Sequence, residues 1–293
     1  MVLCQAVDYF ALARERESIR RKRLAGEPPP WTEDPILRAW RFTNVHREHD
    51  KTTIWFRENI RVPLIAKCKG VQPYAELMDA KIRLVEATLI FRWFNFIDTG
   101  ERLKDLLING WDGDEARRRL TDVGKIITGA YMVRTPFGVP KLEALIQLID
   151  TALPMLPSMV PTWGDSLAGA WKDLVKIPYM GSFTSGEVVI DLRYTPILQN
   201  AWDINTWTVA GPGAAKGLGY VTAEDPDLFD YTSVDHQLEM VEVMYELLEM
   251  SRNPQHWPAH WDPWELHECE MWACEWAKYQ SAKAGNRLKR KFV

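Results

Sequence analysis

The chain has 293 residues, of which 46% are hydrophobic and 26% are charged, which are the proportions of a globular protein with a sizeable core. A formal net charge of −4 excludes nucleic-acid binding that relies on overall positive charge alone. The four cysteines contain no CxxC pair, and we find neither a signal peptide nor an apolar run of about 18 residues, so we expect no disulfide framework and no membrane partner.

Helical spacing of apolar residues predominates along the chain, and strand patterns are short and few. The predicted helices span residues 3–24, 33–58, 74–96, 101–109, 113–133, 139–153, 166–175, 182–192, 234–251 and 264–284. The sequence predicts a mainly α protein with a basic helix and linker over 1–30 and one helical catalytic domain over 31–293. The proline-rich stretch 153–165 is the candidate boundary between two lobes of that domain.

Residues 177–191 read IPYMGSFTSGEVVID and place a glycine turn between two predicted helices. A turn of this kind exposes backbone N–H groups, at the start of the next helix, that hold a phosphate without reading a base. The pattern is typical of a helix-hairpin-helix element, with Gly181, Ser182 and Thr184 as candidate DNA-binding residues. A helical hairpin that binds no ligand would produce the same pattern.

The hairpin resembles that of the DNA glycosylase superfamily, in which Pro-Gly-x-Gly is followed by Thr-Ala. Pro178, Gly181 and Thr184 match this pattern, whereas Tyr179 stands at the first Gly. That difference matters because glycine is often needed where φ is positive. The resemblance implies a DNA glycosylase-like helical fold.

Two aspartates follow the hairpin turn and are candidates for stabilising a positive charge or accepting a proton. Asp203 lies where the glycosylases have their catalytic aspartate, and Asp191 ends the hairpin helix. Two other interpretations are open, namely pairing of Asp191 with Arg193 and capping of a turn by Asp203.

Polar side chains are concentrated in two aromatic-rich stretches, FTNVHREHDKTTIWFREN (42–59) and FRWFN (91–95). On a helix, spacings of three residues place such side chains along one row. Arginine binds phosphate through two N–H groups and stacks on flat rings, which suits an anion next to a base. A salt-bridge network between core helices is the alternative. The candidate substrate-binding residues are Asn44, Arg47, Asp50, Arg57, Arg92, Asn95 and Arg193.

The glycine-rich segment TVAGPGAAKGLG (208–219) is not a P-loop, because Gly217 follows Lys216 where Ser or Thr is required, and no clear strand precedes it. No P-loop ATPase or kinase is therefore indicated. An anion-binding nest formed by Gly211, Gly213 and Lys216 would contact DNA, and a flexible loop is the other interpretation.

The last predicted helix contains LHECEMWACEWAKYQ (266–280), with Glu270 and Cys274 on one face and Glu275 near Lys278 on another. Histidine, glutamate and cysteine residues in this region match no standard zinc spacing, so we expect no metal and no cofactor. These residues are His256, His260, His267, Glu268 and Cys274.

The order of these stretches resembles the α-glutamyl/putrescinyl thymine pyrophosphorylase family, over nearly the whole chain from residue 36 to 291. These proteins are amino acid:DNA transferases of bacteriophages with hypermodified thymine, and their fold is related to DNA glycosylases. A similar helical region also occurs in 5-hydroxymethyluracil DNA kinases. Ala273 and Trp276 depart from the Leu and Phe of the family's last helix. The matching residues are Asp191 to Arg193, Gly211 to Ala214, Gly217, Glu270, Cys274, Glu275, Lys278 and Tyr279.

The resemblance implies a transfer reaction. A separate kinase pyrophosphorylates hydroxymethyluracil in phage DNA, and the transferase displaces the pyrophosphate with an amino acid or polyamine. The implied partners are double-stranded DNA containing modified thymine, a small amine donor and the 5-hydroxymethyluracil DNA kinase, in the cytoplasm of an infected bacterium. The seven polar residues named above would bind substrate and pyrophosphate. The candidate catalytic residues are Asp191, Glu270, Glu275, Lys278 and Asp203.

Two other functions are consistent with the sequence. A DNA glycosylase or lyase would share the hairpin and Asp203, and would release a free base without an amine. A non-catalytic helical DNA-binding protein would bind without turnover, and it leaves the polar stretch 42–59 without a role.

Overall fold

The computed structural model describes residues 3–72, 74–129, 134–288 and 291. The described residues form helices joined by turns, with an isolated bridge between Trp40 and Lys291 and no strand among them. The predicted mainly α class is therefore confirmed, and the glycosylase-like arrangement stays a prediction. Residues 130–133, at the end of one predicted helix, lie outside the described residues.

The α-helices are numbered in chain order, and short 3₁₀ or π segments lie between some of them. The helices are α1 (Ala6–Leu24), α2 (Pro35–Ala39), α3 (Lys51–Phe56), α4 (Val62–Cys68), α5 (Tyr74–Phe94), α6 (Ile97–Asn109), α7 (Gly113–Leu120), α8 (Lys141–Ala152), α9 (Leu156–Met159), α10 (Leu167–Leu174), α11 (Gly181–Arg193), α12 (Pro212–Ala223), α13 (Val234–Ser251) and α14 (Leu266–Lys283).

The chain forms two compact units. The first unit comprises Met1–Asp50 and Asn205–Val293, and the second comprises Lys51–Ile204. The predicted lobe boundary at 153–165 falls inside the second unit. The helices α1, α2 and α12 to α14 belong to the first unit, and α3 to α11 belong to the second.

The core of the first unit forms where α1, α12 and α13 pack their apolar faces against α14. Tyr9 and Trp272 are fully buried there. The Tyr9 hydroxyl donates to the Cys269 carbonyl at 3.0 Å, and the Trp272 indole N–H donates to the Tyr9 carbonyl at 3.1 Å. Each large ring therefore buries its polar atom with a partner, as burial of Tyr and Trp requires.

Residues 212–219 of the glycine-rich segment belong to helix α12, so this part is not a flexible loop, whereas 208–211 precede the helix. Its glycines permit close packing against α14. A Cβ at Gly217 would lie 1.8 Å from the Ala273 carbonyl oxygen, and a Cβ at Gly213 would lie 2.4 Å from the Cys274 sulfur. Glycine is therefore required at these positions because the two helices are in contact. A high glycine content is typical of loops, but in α12 it results from helix packing.

The core of the second unit is organised by α5, whose residues from Leu84 to Phe94 are almost all buried. Trp55 and Phe56 of α3 both stack on Phe91, with ring centres 5.2 Å and 4.8 Å apart. Because this half of α5 has no exposed face, a charged residue within it must find its partner inside the protein.

The predicted helix over 33–58 is wrong in its middle part. Helix α2 ends at Ala39 and α3 begins at Lys51, with only a 3₁₀ turn over Arg47–His49 between them. The Asp50 carboxylate accepts the backbone and side-chain N–H groups of Asn44, both at 3.0 Å, and the Asn44 amide donates to the His49 carbonyl at 2.6 Å. Such local bonds from Asn and Asp compete with helix formation.

Two other boundaries also differ from prediction. The helix predicted over 113–133 ends at Leu120, and Asp122 takes a left-handed φ of 64° soon after it. The stretch 153–165 contains the short helix α9 flanked by two 3₁₀ turns. Together with α8 it makes 141–162 long and apolar enough to cross a membrane by length and composition alone. Of an 18-residue apolar window in this span, 44% is buried in the protein.

We expect Gly217→Ala to lower the free energy of unfolding by about 2–3 kcal/mol, because the new methyl group meets a backbone oxygen that has no room to move. Gly213→Ala meets the end of a side chain and should cost less. Gly124→Ala, where a Cβ meets nothing within 4 Å, is the matched control. Urea unfolding monitored by circular dichroism measures all three, and equal losses would contradict the packing explanation.

Candidate functional site

The second unit contains a buried ion pair between two predicted site residues. Arg92 of α5 donates through Nε and Nη2 to Asp191 Oδ2 of α11, at 2.9 Å and 2.5 Å. The two side chains are only 4% and 1% exposed. The sequence predicted an anion-binding role for Arg92 and a catalytic one for Asp191, and the structure places the two in direct contact.

Asn95 lies beside this pair and ends α5. Its Oδ1 accepts a hydrogen bond from Arg92 Nη1 at 3.3 Å, and its backbone N–H donates to the Phe91 carbonyl at 2.6 Å. Its φ of 43° is left-handed, a conformation that Asn adopts at helix C-termini. Asn95 and Asp191 together fix the orientation of the Arg92 guanidinium.

The other two predicted arginines of this unit make different contacts. Arg57 lies in the π-helical segment Arg57–Arg61, with its Nη2 3.8 Å from Glu58. Arg193 donates to the Gln199 carbonyl at 3.2 Å, and its guanidinium lies 5.5 Å from the centre of the Tyr194 ring. A π segment inserted in a helix is frequent at functional sites.

Helices α10 and α11 are joined by a short turn at the position of the predicted helix-hairpin-helix element, and DNA binding by that turn stays a prediction. Tyr179 and Gly181 both take left-handed φ angles, of 62° and 67°, so Tyr179 adopts the conformation of the glycine that it replaces. The Trp171 indole N–H donates to the Ser182 carbonyl at 3.0 Å and joins the two helices. Gly181 and Ser182 are exposed and Thr184 is half-buried, so the turn is accessible to a ligand.

Asp203 caps the first helix of this hairpin. Its carboxylate accepts the backbone N–H groups of Leu167 at 2.7 Å and Ala168 at 2.9 Å, and the Ser166 hydroxyl at 2.8 Å. The side chain is 1% exposed. These three bonds give Asp203 a structural use, which is to anchor the start of α10.

In the first unit, the loop before α3 holds three predicted residues in a polar cluster. Asn44 accepts a hydrogen bond from Arg16 Nη2 at 2.7 Å, in addition to its bonds with Asp50. Removal from water raises the pKa of Asp50 to about 6, although the Asn44 N–H and the charges of Arg16 and Arg47 act in the opposite direction. The cluster arises from a folded loop, so the predicted row on one helix is wrong.

Glu275 of α14 lies next to the same loop. Its Oε2 accepts the Thr43 backbone N–H and the Lys278 ammonium, both at 3.1 Å. The Lys278 nitrogen also donates to the Arg41 carbonyl and lies 4.4 Å from the centre of the Phe42 ring. The predicted pairing of Glu275 with Lys278 is therefore present, and loop residues hold both charges in place.

Glu270, on the buried face of α14, lies at the N-terminus of α12. Its Oε1 accepts the backbone N–H of Gly211, the N-cap residue, at 3.1 Å. A carboxylate is favourable there because the helix dipole and the free N–H groups attract negative charge. Glu270 thus lies where a nest at Gly211 would have bound phosphate, whereas Lys216 is exposed farther along α12.

Contacts between distant segments of the first unit bury three further basic residues. Arg16, on the predicted basic helix, is buried and donates to the Phe42 carbonyl. His46 and His267 both point a ring nitrogen at Glu268 Oε1, at 3.4 Å and 2.7 Å. Burial acts against ionisation of Glu268, yet these two histidines hold its pKa well below the usual range. No local sequence pattern signals such contacts between distant segments.

Glu265, His267 and Glu268 have side-chain atoms within 4.8 Å of one another, as in a metal site. The two glutamates form a capping box at the start of α14, in which each carboxylate accepts a backbone N–H of the other residue. This pairing explains their positions without an ion.

We expect Asp191→Asn to lower the free energy of unfolding by about 3–5 kcal/mol, because it leaves the Arg92 charge buried without its counter-ion. Glu249→Gln is the matched control, since it removes a carboxylate from an exposed pair with Arg252, and such pairs contribute about 0–1 kcal/mol. Chemical denaturation of both variants checks this. An Asp191→Asn protein as stable as the control would contradict the assigned ion pair.

A family model described as "5-hmdU DNA kinase, helical domain" matches residues 5–288. The 5-hmdU DNA kinase of Bacillus phage SP10 is 26% identical to this chain over 301 aligned residues. The alignment covers 95% of this chain and 45% of the phage kinase, so the chain spans less than half the length of that relative. No solved structure matches the chain.

The family match extends over nearly all the helices described above, from the start of α1 to beyond the end of α14. This match differs in part from the resemblance to the pyrophosphate-displacing transferases. The matching family is named after the 5-hydroxymethyluracil DNA kinases, which also contain a similar helical region. The chain therefore belongs to the family of 5-hmdU DNA kinase helical domains.

Proposed function

We propose that this chain recognises 5-hydroxymethyluracil in DNA and takes part in its further modification. The support is the family match over residues 5–288 and the phage relative, whose name assigns it activity on that modified nucleoside. The exposed hairpin turn at Gly181 and Ser182 offers backbone N–H groups to a DNA phosphate. The target base must leave the helical stack to be reached by any protein group.

For the chemical step we propose displacement of pyrophosphate by an amine. The amine nitrogen forms a bond to the exocyclic methylene carbon, the carbon–oxygen bond to pyrophosphate breaks, and pyrophosphate leaves with the bonding electrons. A carboxylate takes a proton from the ammonium, which is unreactive while charged. A cation near the leaving group stabilises the charge that develops there.

One observation carries this step. The glycine segment that resembles a nucleotide-binding loop forms α12, and Glu270 occupies the position at its N-terminus that would bind a phosphate. The described residues therefore supply no P-loop for ATP in this segment. They do supply Glu270 and Glu275, two carboxylates of α14 that are each 7% exposed and held by backbone N–H groups.

The ion pair in the second unit suggests a role for Asp191. Asp191 contacts Arg92 directly, so we propose it as a positioning residue and give proton acceptance to Glu270 or Glu275. Arg92 is oriented by Asp191 and Asn95 within the core of the second unit, so we propose a structural role for it in that unit. Lys278 positions Glu275, and Asp203 anchors the hairpin.

A second candidate function is supported by the coverage of the phage relative. The chain corresponds to 45% of a protein named as a kinase. In this alternative the helical domain binds the modified base and presents it to a kinase domain that contains the ATP-binding loop. The 5-hydroxymethyluracil DNA kinase would then be a physical partner and not only the enzyme that makes the substrate.

Mass spectrometry of nucleosides distinguishes the two candidates. The purified chain is incubated with pyrophosphorylated 5-hydroxymethyluracil DNA and a mixture of glycine, serine, glutamate and putrescine, without ATP. Amine displacement predicts a nucleoside heavier than 5-hydroxymethyl-2′-deoxyuridine by one amine less one water. An unchanged nucleoside, together with stimulation of a matching kinase by the added chain, would support the presentation role. Release of free base would contradict both and favour a glycosylase.

A matched set of variants tests the assigned carboxylates. Glu270→Gln and Glu275→Gln should each lower turnover by about 10²–10⁴-fold if that residue is the base. Glu249→Gln, at an exposed position of α13, should leave turnover unchanged. Full activity in both α14 variants would contradict the assignment, even if the chain forms the product.

A further inference from the structure

Two histidines of the first unit are each bound to a carboxylate through one ring nitrogen. His46 Nδ1 lies 3.4 Å from Glu268 Oε1, and His49 Nε2 lies 3.2 Å from Asp262 Oδ2. The other nitrogen of each ring, Nε2 of His46 and Nδ1 of His49, is buried without a hydrogen-bond partner. His46 as a whole is only 6% exposed. Within the described part of the chain, His46 Nε2 and His49 Nδ1 therefore have no hydrogen-bond partner, whereas the other nitrogen of each ring contacts a carboxylate.

The contacts with the carboxylates determine which kind of group the other ring nitrogens can bind. A carboxylate accepts the ring N–H, so the opposite nitrogen of a neutral imidazole carries a lone pair. A lone pair needs a hydrogen-bond donor or a cation. In metal sites, a ligating histidine nearly always donates its other N–H to a carboxylate or carbonyl, and that bond orients the ring. Both histidines have this arrangement.

The spacing of the two rings allows one shared ion. Their centres lie 5.3 Å apart, and their planes are inclined at 74°. An ion at about 2.0–2.1 Å from both nitrogens in tetrahedral geometry places the ring centres about 5 Å apart. The residues are separated by Arg47 and Glu48, and the 3₁₀ turn Arg47–His49, capped by His46, brings the rings together.

We propose that His46 Nε2 and His49 Nδ1 bind one divalent transition-metal ion, with Zn²⁺ the best fit to imidazole ligands, and with water in the remaining positions. The carboxylates of Glu268 and Asp262 hold the two rings in place. Glu17, whose charge acts on both histidines, adds negative charge, whereas Arg20 acts on His49 in the opposite direction. The triad of Glu265, His267 and Glu268 is not the proposed ligand set, because the capping box uses its carboxylates.

Isothermal titration calorimetry tests the proposal. The untagged chain is freed of metals with a chelator and then titrated with ZnCl₂. The expected result is one ion per chain, with binding weakened at least tenfold in both His46→Gln and His49→Gln. His260→Ala removes an exposed histidine and should bind as wild type does. Circular dichroism establishes that each variant is folded.

Asp262→Asn provides a test that does not disturb the core, because this carboxylate is 60% exposed. Loss of a carboxylate behind a ligating histidine is expected to weaken binding about 10–100-fold. No Zn²⁺ binding by wild type would overturn the proposal and leave a water molecule as the partner of the two rings. Wild-type affinity in His46→Gln and His49→Gln would overturn it as well.

Discussion

A charge that is buried away from water must be paired, and the second unit depends on one such pair, between Arg92 and Asp191. The half of α5 that carries Arg92 has no exposed face, so the Arg92 guanidinium is almost entirely shielded from solvent. Asp191 supplies the counter-charge, and Asn95 accepts a further N–H while it ends the helix. Breaking such a pair is costly, although a buried pair adds little net stability over apolar packing.

In the first unit, buried carboxylates of α14 are likewise paired inside the protein. Its Glu270 binds the N-terminus of α12, and its Glu275 binds the backbone of Thr43. Gly217 lets α12 lie directly against α14, where any larger residue would meet the Ala273 carbonyl. The carboxylates assigned to the chemistry therefore also join separate segments of this unit. Substitution of either glutamate will affect both activity and local structure. Activity measurements on each variant therefore need a parallel measurement of its folding.

The sequence predicted the parts of the structure that depend on local pattern. Helices α1 and α13 and the hairpin of α10 and α11 follow from apolar spacing and a glycine turn, and their observed bounds lie within a few residues of those predicted. The loop around Asn44 was missed because its side chains bond to nearby backbone groups, which periodicity does not register. Sequence alone does not distinguish the glycines of α12 from those of a nest or a loop, because close packing and flexibility select the same residue. Contacts between distant segments, such as that of His46 with Glu268, leave no local signal.

Both proposed functions require recognition of 5-hydroxymethyluracil in DNA. The most direct measurement is a fluorescence anisotropy titration of the purified chain with duplexes that are identical except at one base. That base is thymine, 5-hydroxymethyluracil or its pyrophosphorylated form. The salt concentration must be held constant, because phosphate contacts make affinity depend on salt. We predict that at least one modified duplex binds at least tenfold more tightly than the thymine duplex. Equal affinity for all three would contradict the claim and leave only binding to the DNA backbone.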